Sequence, residues 1–323
     1  MKSKSIRGLL LCLCWIPLSI WAQGAGFPTK AVRIIVPFPA GGSADALARV
    51  VGQDLSKRWS QPVLIENKPG GGTVIAGAMA AKSPPDGHTL LLIANSLTIN
   101  AKLRTNMPYD GLRAFAPVAQ LVRSPQVIAV NSASPYKTLA ELLQDAKSKP
   151  GVLSYATVGP ATTQHIAGEA FKFVTGSQFN YVPFTGGALA ANAVSGGHVT
   201  MVLTNLSEAA GLIESGKLRP LAVTTRERLD ALPQVPTVIE QGFKDYEAAV
   251  WYAFAAPAGT PADIVQKIST DLQRSLQDPN TRTKLLGAHL YPAYLGPKEL
   301  ASHIEQEHAR YGRIIDQAGI KLD

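Results

Sequence analysis

Arg33-Ile34-Ile35-Val36-Pro37-Phe38-Pro39-Ala40-Gly41-Gly42 is echoed about 145 residues later by Asn180-Tyr181-Val182-Pro183-Phe184-Thr185-Gly186-Gly187. Each copy reads as a buried strand turning into a helix. The prolines withdraw backbone donors and stop strand pairing. The glycine pair lets the backbone approach a ligand with no Cβ in the way. The helix that follows turns its unpaired N–H groups and the positive end of its dipole into the same space. One copy alone is ordinary strand-stop chemistry. Two copies at corresponding places predict an anion held in a cleft between two α/β halves.

Outward from these mouths, short apolar runs alternate with amphipathic stretches, as in parallel βαβ units. Strands are expected at Val32–Val36, Pro62–Glu66 and Thr89–Ala94. Between the first two, Leu47, Val50, Val51 and Leu55 share one helix face, and Ser43 caps or opens that helix. Asp45 lies near its positive end but four residues before Arg49, so ligand contact competes with a plain ion pair. Asn67 to Thr73 carries Pro69 and three consecutive glycines but no Gly-Lys-Ser/Thr; it reads as a tight helix start unless it also lines the cleft. Ala116–Val122 and Gln126–Val130 read as two short runs parted by Arg123-Ser124-Pro125, the expected first crossing between halves. Then come a capping box at Thr138 and Glu141, and strands near Leu153–Thr157, Phe179–Pro183, Val199–Thr204 and Leu218–Thr224. Val250–Ala256 is expected to return to the first half. Thr260, Pro261 and Asp263 open a further helix, and Leu300, Ile304, Tyr311 and Ile315 give the last helix its apolar face. The expected fold is α/β, with two Rossmann-like lobes around a central cleft. Lobe 1 takes residues 25–124 and 226–323, and lobe 2 takes residues 125–225.

A chain of 323 residues, 46% hydrophobic and 17% charged, exceeds one ordinary core and has a globular balance. Residues 1–24 read as a cleaved secretory signal. Lys2, Lys4 and Arg7 precede an apolar run from Leu9 to Trp21, too short for a span, and small residues follow. Cys12 and Cys14 lie in that run, so the mature chain has no thiolate metal site and no cysteine nucleophile. Without the three signal cations, 28 basic residues face 23 acidic ones, a net of +5. That mild excess favours acidic ligands by steering, and no basic block points to nucleic acid.

The second half has another strand-to-helix turn, Gly159-Pro160-Ala161-Thr162-Thr163-Gln164-His165. Thr162 and Thr163 either cap the helix or offer hydroxyls to the cleft. His165, in the first turn, is expected to be neutral, because a helix N-terminus lowers its pKa; the alternative is that it only packs. Ser96, just past the third strand, and Asn205, just past Val199–Thr204, join the candidate ligand-binding set. That set otherwise comprises Phe38, Ala40, Gly41, Gly42, Ser43, Asp45, Thr162, Thr163, His165, Phe184, Thr185, Gly186 and Gly187. No nucleophile elbow, metal-ligand spacing or cofactor motif is present, so no catalysis, metal or organic cofactor is expected. Two other readings compete: a secreted hydrolase using His165 with Asp45, and a sensing lobe for a signalling partner.

Taken together, several segments resemble the periplasmic solute-binding receptors of tripartite tricarboxylate transporters, the Bug family. They are Phe27-Pro28-Thr29-Lys30, Arg33 to Asp45 with Arg49, Ile65-Glu66-Asn67-Lys68-Pro69-Gly70-Gly71 and His165 to Glu169. The match continues through Gly216 to Thr224, Leu232 to Thr237 and Ala256 to Pro261. The resemblance implies a type II periplasmic binding protein that closes on a small carboxylate and delivers it to membrane subunits, with a monomer expected. It also implies that the loop from Phe38 to Asp45 grips a carboxylate through backbone amides and bridging waters, opposite Thr162, Thr163 and His165. Where the family usually reads Pro-Tyr-Lys-Gly-Gly, this chain has Pro183-Phe184-Thr185-Gly186-Gly187. The lost cation favours a monocarboxylate, an aromatic one included, over a citrate-like acid.

Overall fold

The computed structural model describes residues 26–244 and 246–322, so the expected signal segment lies outside the described residues. The elements in chain order are β1 (Val32–Val36), α1 (Ser43–Trp59), β2 (Val63–Asn67), α2 (Val74–Ala81), β3 (Thr89–Ala94), α3 (Ser96–Leu103) and β4 (Phe115–Asn131). There follow α4 (Leu139–Ser148), β5 (Ser154–Val158), α5 (Thr163–Thr175), β6 (Asn180–Phe184), α6 (Gly187–Ser195), β7 (Met201–Asn205), α7 (Leu206–Glu214) and β8 (Leu218–Val223). The chain ends with β9 (Ala249–Pro257), α8 (Ala262–Gln277), α9 (Pro279–Gly287), β10 (Tyr291–Leu295) and α10 (Pro297–Gln317).

Strand β1 pairs in parallel with β2 and β3, and its near-continuous burial reflects helices on both faces of the sheet. The sheet continues antiparallel through β9 to β4. In the second half, β5 lies parallel between β6 and β7, while β7 and β8 run antiparallel to the far end of β4. Strand β4 therefore belongs to both sheets. The sequence suggested two runs broken at Arg123-Ser124-Pro125, but the strand is continuous over 17 residues. Pro125 lies opposite Ala249, the first residue of β9, and Gln126 begins the pairing with β7. The missing proline N–H thus falls where β4 changes partners, which is why it does not break the strand.

Each sheet is covered on both faces. Ile34, Leu47, Leu121, Phe254 and Ile268 form one first-half core; Ile35, Leu91, Trp251, Leu300 and Ile304 form the other. In the second half Tyr155, Phe171 and Leu203 pack on one face, and Ala156, Val194 and Val202 on the other. Val238, Tyr246 and Ala248 join the Tyr155 core. Loop residues between β8 and β9 accordingly pack on the second sheet, and β9 begins at Ala249.

Sequence signals explain most helix ends. The Thr138 hydroxyl accepts the Glu141 N–H at 3.2 Å, and the Glu141 carboxylate accepts the Thr138 N–H at 3.2 Å. Thr260 does not cap α8; its hydroxyl donates to the Pro257 carbonyl. One acid interrupts the apolar stripe of α10. Glu307 is buried and accepts from Asn95 Nδ2 at 2.9 Å, the Trp251 indole at 3.2 Å and Arg310 at 3.2 Å. Asn95 in turn accepts the Trp251 backbone N–H and so ties β3 to the start of β9. Glu307→Ala leaves the buried Trp251 indole without its acceptor, while Asn95 keeps the Tyr311 hydroxyl and Arg310 the Glu247 carbonyl, and urea unfolding is expected to show a loss of roughly 1–3 kcal/mol. An unchanged midpoint would show that the network contributes nothing to stability.

Candidate ligand-binding cleft

The cleft opens at the carboxyl ends of β1, β2, β5 and β6, the usual ligand position in open α/β sheets. It has two chambers. The larger, about 480 Å³, is lined by Phe38, the Gly70–Gly72 loop, Thr73, Arg104, Pro160, Thr162, Phe184 and Thr185. The smaller, about 230 Å³, is lined by Ala40, Gly41, Gly42, Gln164, Gly186, Gly187, Leu189, Glu208 and Tyr252. Phe38 and Val158 line both and so divide them. Phe38 stands edge-on to Tyr252, with ring centroids 6.3 Å apart.

In the first mouth, Gly41 takes φ +82, a conformation that favours glycine. Its N–H donates to Asp45 Oδ2 at 3.0 Å. Asp45 also accepts Arg49 Nε at 2.9 Å and Asn67 Nδ2 at 3.0 Å. Burial pushes the Asp45 carboxyl up, but the hydrogen bonds from Arg49, Gly41 and Asn67 outweigh it and hold the group below the usual carboxylate range. Asp45 is 4% exposed and lines neither chamber. It braces the loop that carries the glycines.

The carboxyl group at this mouth is supplied by the chain itself. Glu208, in the first turn of α7, accepts the Thr204 hydroxyl at 2.6 Å. It also accepts the Ser43 N–H and hydroxyl and the Asn205 N–H. The N-termini of α1 and α7, from opposite halves, therefore converge on one carboxylate. Around it, the Ser43 and Ser207 hydroxyls lie 2.7 Å apart, and Asn205 Nδ2 donates to Ser43 Oγ at 3.0 Å and to the Tyr252 hydroxyl at 2.9 Å. A Cβ at Gly42 would stand 3.3 Å from Glu208 Oε1, and one at Gly187 would overlap the carboxylate. Gly187 is thus needed to admit Glu208. Burial pushes the Glu208 carboxyl above its ordinary value, against the opposing hydrogen bonds.

In the second-half turn, Thr162 caps α5: its hydroxyl accepts the His165 N–H at 3.3 Å and donates to the Gly159 carbonyl at 2.8 Å. Thr163 and His165 are buried, and the His165 ring packs on Tyr181 with centroids 4.6 Å apart. Neither lines a chamber, whereas Gln164 between them does. Ser96 lies behind the cleft and accepts the Thr73 hydroxyl at 3.4 Å. The structure brings Phe38, Thr162, Phe184 and Thr185 to the larger chamber, and Phe38, Ala40, Gly41, Gly42, Gly186 and Gly187 to the smaller. Ser43 and Asn205 join the halves beside it. The reading of the sequence missed Arg104, Gln164, Glu208 and Tyr252, none of which stands in a motif. The three-glycine loop does line the cleft, and a Cβ on Gly72 would come 2.6 Å from the Pro160 carbonyl of the other half.

Two α/β halves joined by antiparallel crossing strands, with the cleft at their parallel strand ends, define the two-lobed type II architecture of periplasmic binding proteins. Known structures agree. An R. palustris protein solved with adipate is 33% identical, with a TM-score of 0.88, covering 91% of this chain and 99% of that one. The periplasmic binding protein BugD is 28% identical, with a TM-score of 0.87, covering 92% and 100%. MatC from Rhodopseudomonas palustris, with bound malate, is 28% identical, with a TM-score of 0.83, covering 90% and 100%.

Residues 47–320 match the family described as "Tripartite tricarboxylate transporter family receptor", and the chain belongs to that family. These proteins are solute-binding receptors rather than enzymes, which removes the hydrolase reading of His165 with Asp45.

The position of Glu208 generates a pH prediction. Its carboxyl is raised in the folded chain, so the neutral form is favoured there. The associated stability is full below the unfolded value of about 4.5 and is lost as pH rises through the folded value. Melting temperature should therefore fall with rising pH in wild type relative to Glu208→Gln, which mimics the neutral acid. Parallel pH profiles would contradict this.

Proposed function

We propose that this chain is a periplasmic receptor that captures a small carboxylate between its halves and delivers it to the membrane subunits of a tripartite tricarboxylate transporter. The observation that carries the reading is the cleft itself: two chambers enclosed by the Pro37–Gly42 and Pro183–Gly187 mouths, in a chain of this family. The adipate and malate in related structures support a carboxylate as the solute. The Lys2, Lys4 and Arg7 cluster with its apolar run supports export and cleavage after about residue 24. Among the described residues, no helix is long and apolar enough to cross a membrane. Residues near Pro125 and Ala249 are the proposed hinge, and a monomer is the proposed working form.

Thermal-shift measurement of the exported protein against mono-, di- and tricarboxylates tests this reading. A ligand at a hundredfold excess over its Kd should stabilise the fold by about 2.7 kcal/mol. If no carboxylate raises the melting temperature, the reading fails. Thr185 lines the larger chamber, and Thr185→Lys adds a cation there. Titration calorimetry should then show the preference moving toward acids of higher charge. An unchanged ranking of ligands would place Thr185 outside the binding surface.

A further inference from the structure

The amides expected to hold a ligand carboxylate are partly engaged. Gly41 N–H serves Asp45, and Ser43 N–H serves Glu208. Glu208 lines the smaller chamber and already takes donors at this mouth, so a ligand acid is better placed in the other chamber. Among the residues lining that chamber, Arg104 alone is charged. Its Nε donates to Asn100 Oδ1 at 2.6 Å, and Nη2 donates to the Gly71 carbonyl at 3.2 Å. Asn100 is fully buried and held in turn, since its amide donates to the carbonyls of Gly72 at 2.7 Å and Ser96 at 2.8 Å. The guanidinium is therefore oriented from behind, and no acid among the described residues pairs with it. Nη1 has no hydrogen-bond partner among the described residues, and one of its N–H groups can join the remaining Nη2 N–H in a fork to a carboxylate.

We propose that Arg104 reads the carboxylate of the bound solute in the larger chamber, with the solute's apolar body against Phe38 and Phe184. This rests on the carboxylate-receptor reading and adds to it a named specificity residue and an orientation. The acid lies toward the Gly70–Gly72 loop, away from Glu208. Asn100 acts through Arg104 as a positioning residue.

The test is titration calorimetry of wild type, Arg104→Gln and Arg104→Lys with benzoate, adipate and malate. For the acid that binds wild type most tightly, Arg104→Gln should lose at least about tenfold in affinity, which is about 1.4 kcal/mol. Arg104→Lys keeps the charge without the fork and should recover more than half of that loss in free energy. Affinity in Arg104→Gln within about twofold of wild type overturns the inference and leaves the receptor reading standing. Equal losses in both variants also overturn it and assign Arg104 to bracing the loop. If neither these three acids nor any acid of the thermal-shift panel binds wild type, the receptor reading falls and takes this inference with it; otherwise the panel's tightest binder is used in the same comparison. Circular dichroism establishes that each variant is folded, and the lysine variant keeps the test decisive should the glutamine one misfold.

Discussion

Everything in this molecule depends on one shared strand. β4 contributes its first part to one sheet and its last part to the other, with hydrogen-bonded neighbours along its length. Two sheets pinned to one strand cannot slide past each other; they can only bend where partners change. That point carries a proline, and the returning chain crosses beside it, at Ala249. The Asn95, Trp251 and Glu307 network sits just behind this second crossing and anchors it to the first half. The cleft exists because the halves diverge from this seam.

Much of the fold was legible because each apolar run is bounded by proline or glycine, and strand and helix periods differ. The continuous β4 was not. Ser124 in its middle is fully buried, although Arg123-Ser124-Pro125 reads as a polar break. His303 and His308 lie five residues apart on α10, with no sequence signal for a partner. The structure instead packs His303 on Trp251 and sets His308 Nδ1 3.1 Å from the Thr98 carbonyl. Both cases have the same cause: a single sequence does not show what a neighbouring element brings against a polar side chain.

The cleft was half legible for a related reason. The doubled mouths mark where helix ends converge, and a carboxyl group sits there. That it belongs to Glu208 depends on how α7 approaches α1, a tertiary relation with no local signal. Arg104 is equally silent, one cation at the end of a short helix until Asn100 and the glycine loop place it at the cleft. The resulting site is polarised, with an acid facing the smaller chamber and a cation facing the larger.

Gly187 extends the argument beyond this one chain. Any side chain there would overlap the Glu208 carboxylate. The two positions are therefore sterically linked. A descendant that acquires a Cβ at 187 must shorten or redirect the residue at 208, and one that loses the acid frees 187 to vary. Comparing related chains at these two positions would show whether the built-in acid is an old feature of the lineage or a recent acquisition.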